Sequence, residues 1–297
     1  MPIRNTMSVL SKNLKVALLQ FHAGADKKAN LQKVKEFASK AITQHPSLDL
    51  LVLPECFNSP YSVEEFKNYC EPIPGGETTE FLSNLAKEHK VSIVGGSFPE
   101  LGSDNKIYNT SLTFDKTGKI IAKHRKVHLF DIDIPGKMTF KESISLAPGD
   151  KATVFQLEDF CKVGLGICYD IRFPELAMVA ARQGAGIMFY PGAFNTVTGP
   201  KFWTKFAVAR AIDNQVYVVM CSPARNVAGG GYQAYGHSMV VDPNGDVLVE
   251  AGHDEDIVYC ELKPDVITEA RKNIPISTQR RFDVYHDVAS DAVAKDI

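Results

Sequence analysis

The sequence lacks the features that mark extracellular, membrane-spanning and nucleic-acid-binding proteins. Its six cysteines are scattered and form no CxxC pair, so we expect reduced thiols in a reducing compartment. The net charge of −2 provides no basic surface for nucleic acid, and the longest apolar runs, such as LDLLVLP and VYVVM, are too short to span a bilayer. The N-terminus has no continuous apolar segment of the secretory type. The sequence therefore predicts neither a nucleic-acid partner nor a membrane association.

Acidic residues are also absent from the start of the chain. The first is Asp26, and Arg4, Lys12 and Lys15 precede it among serines. This pattern is compatible with a transit peptide. We nevertheless expect a cytoplasmic protein, because the scattered cysteines indicate a reducing compartment. The sequence leaves mitochondrial targeting open as the alternative.

No low-complexity linker, block of like charges or internal repeat divides the chain. Its 297 residues, of which 44% are hydrophobic, are enough for one large globular domain with an ample core. We expect a single domain over residues 1–297, with a packed core over about 12–285. The termini are expected to be mobile, including the final segment DVASDAVAKDI.

Short apolar runs alternate with amphipathic segments along the chain. The runs are rich in Val and Ile without clean alternation, which is typical of strands buried on both faces. We predict strands at 14–21, 49–54, 91–97, 109–114, 163–168, 186–191, 215–221 and 237–242. We predict helices over 27–44, from a cap at Thr78 or Thr79, from Pro174 to Gly184 and over about 200–213, with a hairpin turning at Pro243-Asn244-Gly245. This alternation predicts an α/β protein with mixed sheets.

Two residues with reactive side chains directly follow predicted strands. Glu55 follows LLVLP and Cys168 follows VGLGI, and active groups collect at such positions in α/β sheets. A helix that opens after Cys168 would lower the pKa of its thiol, and the backbone N–H groups there, beginning with that of Tyr169, would be placed to hold an oxyanion. The alternatives are a surface turn for Glu55 and a packing role for Cys168.

The segment KHRKVHLFD is basic but interrupted by apolar residues. Its cations and imidazoles show no accompanying cysteine or carboxylates at metal-ligand spacing. A basic run is usually a solvated surface, yet the flanking Val127, Leu129 and Phe130 indicate partial burial. A buried lysine beside carboxylates could donate a proton and neutralise an oxyanion. The candidate residues are His124, Arg125, Lys126 and His128.

Three segments in order resemble the signature segments of the nitrilase superfamily, the carbon–nitrogen hydrolases. They are LPEC, HRKVHLFD and GICYDIRFPE, and the resemblance extends from KVALLQ to STQRRFDVY. It is closest to the ω-amidase branch, which is similar in the stretches LPECFNSPY, KVHLFDIDIPGKMTFKES, YPGAFNTVTGP, DNQVYVVMCSPAR and YGHSMVVDPNG. The resemblance implies a four-layer αββα sandwich of two mixed sheets, a homodimer, and catalysis without a cofactor or metal.

The resemblance also implies a Glu–Lys–Cys triad. In that scheme Glu55 takes the proton from Cys168, whose thiolate attacks the amide carbon. Lys126 and the backbone N–H of Tyr169 would hold the oxyanion. Ammonia would leave a thioester, and water activated by Glu55 would hydrolyse it. A second glutamate of the family matches Glu142, which could hydrogen-bond Lys126 and keep it charged.

An enzyme of this branch cleaves the terminal amide of a short dicarboxylate monoamide, such as 2-oxoglutaramate or 2-oxosuccinamate. The distal carboxylate of such a substrate needs a cation or several donors. Arg172 is a candidate, with a structural ion pair as its alternative. Tyr61, Phe194 and Thr198 match positions that could line the pocket. The implied partner is therefore a small-molecule amide.

Several other interpretations remain open from the sequence. An amidase of deaminated glutathione is a near neighbour, nitrile hydrolysis is less well matched, and a non-catalytic scaffold or a Cys–His peptidase would be a different class.

Asp170 is expected to shape the turn, and His237 to be a structural histidine. The remaining cysteines, including Cys56, are expected to pack. The helix over 174–183 offers apolar surface to a second subunit or to the core through Leu176, Met178, Val179 and Ala180.

Overall fold

The computed structural model describes residues 9–134, 138–227 and 229–285. The predicted final segment DVASDAVAKDI lies outside these residues. The apolar runs form strands, several of them buried along their whole length. The strands in the described residues are β1 (Leu14–Gln20), β2 (Leu50–Val52), β3 (Ser92–Val94), β4 (Phe98–Leu101), β5 (Ile107–Phe114), β6 (Ile120–Arg125), β7 (Asp131–Ile134), β8 (Met138–Lys141), β9 (Thr153–Leu157), β10 (Cys161–Leu165), β11 (Ala185–Pro191), β12 (Tyr217–Cys221), β13 (Met239–Val241), β14 (Val247–Glu250) and β15 (Asp256–Leu262).

Four of the helices follow predicted segments, with one correction at an N-terminus, and the helices Phe66–Tyr69, Pro264–Asn273 and Ile276–Gln279 were not predicted. They are α1 (Lys27–Gln44), α2 (Phe66–Tyr69), α3 (Glu77–His89), α4 (Pro174–Arg182), α5 (Gly199–Asn214), α6 (Pro264–Asn273) and α7 (Ile276–Gln279). Pro174 is the first residue of α4, and Gly184, with φ +97°, follows its end.

The predicted threonine cap of α3 is wrong, because Thr78 and Thr79 lie inside the helix and Gly76 occupies the cap position. A residue from outside the helix takes over the capping function. The Glu71 carboxylate accepts hydrogen bonds from the Thr78 backbone N–H and from its hydroxyl, both at 2.7 Å. A carboxylate supplied by the preceding loop therefore satisfies the first turn, which the local sequence pattern does not reveal.

Two mixed sheets form the body of the molecule. The first has the order β15–β1–β2–β3–β5–β4, with β6 paired to β5, and its β1, β2 and β3 are parallel. The second has the order β14–β13–β12–β11–β10–β9, and its β10, β11 and β12 are parallel. The predicted hairpin is present, because β13 and β14 pair antiparallel around Gly245. In addition, β7 and β8 form a separate two-stranded sheet.

The two sheets pack face to face, with helices on their outer faces. Side chains from both sheets share one apolar core, which includes Val16 and Val52 from the first sheet and Val163 and Phe189 from the second. A second core lies between the first sheet and helices α1 and α3. A third lies between the second sheet and helices α4 and α5, around Trp203. The predicted four-layer αββα sandwich is confirmed.

This arrangement brings the carboxyl ends of the parallel strands to one end of the sandwich. Glu55 follows β2, Cys168 follows β10, and Ala193 follows β11. The hydrogen bond from the Ala193 N–H to the Glu55 carboxylate joins the two sheets at this end. Among the described residues, no helix combines the length and apolar character needed to cross a membrane.

Candidate active site

A buried lysine between two carboxylates forms the centre of the site. The Lys126 Nζ atom lies 3.0 Å from Glu55 Oε1 and 2.8 Å from Glu142 Oε1. All three side chains are inaccessible to solvent. Burial of a charge is costly unless it is paired, so this geometry requires all three groups together. The predicted hydrogen bond between Glu142 and Lys126 is present.

The basic segment places its neighbouring cations in different environments. Lys126 follows the last residue of β6 and points into the buried cluster, whereas Arg125 is partly exposed and pairs with Glu100 at 2.8 Å. The Lys126 backbone N–H donates to the Asn109 carbonyl at 2.8 Å. The expectation that part of this segment is buried is therefore met at Lys126 itself.

Glu55 is fixed by donors on several sides. Besides Lys126, its Oε1 accepts from the Asn109 side chain at 2.9 Å, and its Oε2 accepts from the Ala193 N–H at 2.8 Å. Behind this loop, Gly96 has φ +55°, and a Cβ there would lie 2.1 Å from the Pro54 carbonyl oxygen. Close backbone packing therefore holds the Glu55 loop, which excludes the surface-turn alternative.

Cys168 lies at a strained turn beside Glu55. It begins a 3₁₀ helix, Cys168–Arg172, with φ 48°, a conformation that non-glycine residues rarely adopt. Its thiol is near enough to the Glu55 carboxyl group for each to influence the pKa of the other. Gly192 packs against this turn, because a Cβ there would lie 3.2 Å from the Cys168 Cα. The turn therefore presents the thiol to the buried carboxylate.

The electrostatics of the thiol differ from the sequence-based expectation. Burial and the nearby Glu55 carboxylate raise the pKa of Cys168 well above its ordinary value, although Lys126 opposes this shift. The predicted lowering of the Cys168 pKa is wrong, because burial and the Glu55 charge outweigh the effect of the helix that follows. Cys168 therefore carries its proton at rest and needs a base to become a nucleophile.

The pKa values of Glu55 and Lys126 suit a base and a cation beside the Cys168 thiol. Burial raises the pKa of Glu55, and the Lys126 charge partly offsets the effect. Burial alone would lower the pKa of Lys126, but the charges of Glu142 and Glu55 raise it well above its usual range. Lys126 is therefore a permanent cation, and Glu55 is a stronger base than an exposed glutamate.

A narrow pocket opens beside the thiol, and we call it the thiol pocket. It brings together all four residues predicted to contact substrate. Its lining residues are Tyr61, Phe130, Cys168, Tyr169, Arg172, Ala193, Phe194, Thr198 and Tyr232.

Arg172 is the only lining residue of this pocket that carries a permanent positive charge, and it makes no ion pair with any described residue. Its Nε atom is buried without a hydrogen-bond partner. The guanidinium carbon lies 4.8–5.6 Å from the ring centroids of Tyr169, Phe194, Phe202 and Phe206. Aromatic faces hold the cation in place but leave its charge without a counter-ion. The alternative of a structural ion pair is therefore not realised.

The other predicted pocket residues are held by specific contacts. The Tyr61 hydroxyl donates to Glu142 Oε1 at 2.7 Å, which links the pocket wall to the charged cluster. Phe194 packs edge-on against Trp203, and the Thr198 hydroxyl is 3.0 Å from Asn195 Oδ1. These contacts fix the shape of the pocket.

Sequence reasoning missed several residues of the site. Asn109 lies within β5, where it is buried, and a carboxamide inside a predicted strand was the available signal. Ala193 contributes only its backbone N–H, and Phe130 and Tyr232 contribute ring surface. No local pattern distinguishes these last three from ordinary packing residues.

The remaining predicted residues lie outside the thiol pocket. Asp170 accepts the Ile167 N–H at 2.9 Å, so it shapes the turn as predicted. His237 is a structural histidine, stacked on Tyr235 and 2.8 Å from Glu250. Cys56 is buried, as are two of the other four cysteines, whereas Cys70 and Cys260 are partly exposed.

Comparisons with known proteins agree with this geometry. A family model described as carbon-nitrogen hydrolase matches residues 15–272. Omega-amidase NIT3 of Saccharomyces cerevisiae is 54% identical over 285 residues, covering 94% of this chain and 97% of that protein. Human omega-amidase NIT2 is 46% identical over 273 residues, covering 92% of this chain and 97% of that protein.

Solved structures give the same result. The crystal structure of Saccharomyces cerevisiae Nit3, a member of branch 10 of the nitrilase superfamily, aligns with a TM-score of 0.85 at 51% identity. The alignment covers 92% of this chain and 98% of that one. The resemblance carried by the three signature segments is thereby confirmed, and the chain belongs to the carbon–nitrogen hydrolase family of the nitrilase superfamily.

Proposed function

We propose that the chain is an ω-amidase that needs no cofactor. It hydrolyses the terminal amide of short dicarboxylate monoamides, such as 2-oxoglutaramate and 2-oxosuccinamate, to the acid and ammonia. The observation that carries this proposal is the cation of Arg172, which has no ion-pair partner among the described residues and lines the same narrow pocket as Cys168. A pocket with a thiol and an uncompensated cation suits an amide with a carboxylate at its other end. The names of the relatives support the same activity.

In the proposed acylation step, the Glu55 carboxylate takes the proton of the Cys168 thiol. The thiolate attacks the amide carbon, and negative charge develops on the amide oxygen. The Lys126 ammonium and the Tyr169 backbone N–H stabilise that oxyanion. Glu55 then returns the proton to the leaving nitrogen, the carbon–nitrogen bond breaks, and ammonia departs from a thioester.

Deacylation uses the same groups again. Glu55 takes a proton from water, and the resulting hydroxide attacks the thioester carbon. The second oxyanion collapses, the carbon–sulfur bond breaks, and Cys168 recovers its proton as the acid leaves. Glu142 keeps Lys126 charged and oriented through the 2.8 Å contact between Glu142 Oε1 and the ammonium group.

The substrate carboxylate binds Arg172 in this proposal. The stacked aromatic rings restrict the guanidinium, so little conformational entropy is lost when it binds an anion. Tyr61, Phe194 and Thr198 limit the chain length that fits between the thiol and the cation. A larger leaving group, such as the cysteinylglycine of deaminated glutathione, has to extend beyond this narrow pocket.

We also infer that the protein acts as a homodimer in the cytoplasm. Helix α4 exposes Val179, and helix α5 exposes Phe202 and Ile212, so the outer face of the second sheet's helical layer retains apolar surface. A second copy would cover it. Free thiols at all six cysteines suit a reducing compartment, with mitochondria as the alternative location.

The first experiment measures release of ammonia from 2-oxoglutaramate and glutamine, and release of cysteinylglycine from deaminated glutathione, whose amide nitrogen belongs to the cysteine residue. We expect preferential release from 2-oxoglutaramate and none from the Cys168→Ala variant at unchanged melting temperature, because the nucleophile is absent. Lys126→Gln should also be inactive, since the oxyanion loses its cation. Preference for deaminated glutathione would overturn the substrate assignment. Full activity of Cys168→Ala would overturn the mechanism, and no release from any substrate by the wild type would favour a scaffold.

Arg172 should determine selectivity for a distal carboxylate. The Arg172→Leu variant should lose about 10- to 100-fold in kcat/KM for 2-oxoglutaramate, because a charge-assisted hydrogen bond contributes about 1.5–3 kcal/mol. Its activity on a neutral amide of the same length should be retained. Arg281→Leu removes an exposed arginine elsewhere and is the matched control. Equal losses on both amides would contradict the assigned role.

The pH profile should report the raised pKa of Glu55. Because the carboxylate form accepts the thiol proton, kcat/KM should fall as the pH drops through the pKa of Glu55. Burial raises that pKa, so the midpoint should lie above pH 4.5, the ordinary value for glutamate. Circular dichroism at each pH provides the control for unfolding. A midpoint at or below pH 4.5 would argue against Glu55 as the base.

The oligomeric state can be tested at the exposed face of α4. Sedimentation velocity should show a dimer for the wild type and a shift toward monomer for Val179→Glu, because a buried unpaired carboxylate opposes association. Leu101→Glu places the same charge at an equally exposed aliphatic residue on β4 of the first sheet, 39% exposed as is Val179, and should remain dimeric. A monomeric wild type, or an equal shift in both variants, would refute this interface.

A further inference from the structure

A second buried charged cluster lies beside the triad, and the proposed reaction does not use it. The Asp170 carboxylate is inaccessible to solvent and accepts four hydrogen bonds. Its Oδ2 lies 3.1 Å from His124 Nε2 and 2.9 Å from the Ile167 nitrogen. Its Oδ1 lies 2.8 Å from His128 Nδ1 and 2.9 Å from the His128 backbone nitrogen. All four contacts are within normal hydrogen-bond distance.

The partners of Asp170 connect two parts of the active site that are far apart in sequence. His124 and His128 lie two residues before and two residues after Lys126. Asp170 lies two residues after Cys168. The cluster therefore links the backbone around the lysine to the strained turn that carries the thiol. On its other side, the lysine segment is held by Asn109 through a backbone hydrogen bond.

The hydrogen-bond network fixes the protonation of the cluster. Burial alone would raise the pKa of Asp170, but the hydrogen bonds from His124 and His128 lower it below its usual range. An ionised carboxylate only accepts hydrogen bonds, so both imidazoles donate to it. His124 then carries a proton on Nε2, and its Nδ1 lies 3.0 Å from the Thr153 hydroxyl oxygen. His128 carries its proton on Nδ1 and stacks on Phe173, with ring centroids 3.6 Å apart.

We propose that Asp170 is a positioning residue that holds the lysine segment and the nucleophile turn at the separation needed for one shared oxyanion site. The inference rests on the proposed function, because it assumes that Cys168 and Lys126 act on the same carbonyl group. The reason is geometric: a misplacement of about 1 Å in reacting groups costs about 100-fold in rate. Two histidines and one carboxylate give this link three hydrogen bonds, from His124 Nε2, His128 Nδ1 and the His128 backbone nitrogen.

The test compares two substitutions of His128 that differ in one donor. In His128→Asn, the amide nitrogen occupies the position of Nδ1 and can still donate to Asp170. In His128→Leu, apolar packing on Phe173 is retained but the donor is lost. We expect kcat for ammonia release to stay within about threefold of wild type in His128→Asn and to fall at least about tenfold in His128→Leu, with little change in KM. Asp170→Asn should lower kcat by up to about 100-fold.

A second readout separates positioning from loss of stability. Lys126 lowers the pKa of the Cys168 thiol, so a lysine that moves away should shift the pH profile of iodoacetamide alkylation of Cys168 upward. This shift is expected in His128→Leu and Asp170→Asn but not in His128→Asn. Glu250→Gln makes the same carboxylate-to-amide change at the distant pair with His237 and should leave both kcat and the profile unchanged.

The outcomes distinguish this inference from the proposed function. Ammonia release by the wild type and none by Cys168→Ala establishes the function first. Equal loss of kcat in His128→Asn and His128→Leu, or wild-type kcat and alkylation profiles in His128→Leu, would overturn the positioning role. If Asp170→Asn fails to fold, the two His128 variants, with melting temperatures measured by circular dichroism, still decide the result.

Discussion

The buried ammonium of Lys126 is the interaction on which the rest of the site depends. An unpaired cation in the interior of a protein is very costly, so Glu55 and Glu142 must contact it from both sides. Each carboxylate then needs donors for its remaining lone pairs, and Asn109, Tyr61 and two backbone N–H groups supply them. One buried charge therefore fixes the positions of residues from several separate loops. The same pairing makes Lys126 a permanent cation, as the stabilisation of an oxyanion requires.

The sandwich architecture makes this assembly rigid. Glu55 and Lys126 follow strands of the first sheet and Cys168 follows a strand of the second, and the shared apolar core between the sheets holds these strands at fixed positions. A densely packed core does not adjust continuously, so it holds the loops that follow its strands in fixed positions. The turn at Cys168 is strained, and tight packing by Gly192 and the hydrogen bonds of Asp170 hold its unfavourable backbone conformation. The thiol is thereby presented in its protonated form next to a carboxylate whose basicity is raised by burial.

Much of this molecule can be predicted from the sequence, and the exceptions have clear physical causes. The apolar runs predict the strands because β-branched residues without alternation are typical of strands buried on both faces, as at β11. The cap of α3 was not predictable, since the capping carboxylate comes from Glu71 and not from the helix. The pKa of Cys168 was predicted in the wrong direction, because a motif specifies which groups are adjacent but not how completely they are buried. Asn109 and Ala193 were missed for a related reason: their contacts with Glu55 join residues distant in sequence.

The sequence by itself determined the family, the alternation of strands and helices that indicates an α/β fold, and the identity of Glu55, Lys126, Glu142 and Cys168 as reactive candidates. These features depend on local composition and on short motifs, which are read directly along the chain. Only the tertiary structure decided that Lys126 is shared by two carboxylates, that Arg172 has no carboxylate partner among the described residues, and that Asp170 links the lysine segment to the thiol turn. Distances, burial and charge compensation arise from contacts between residues far apart in sequence, and they exist only once the two sheets have packed together.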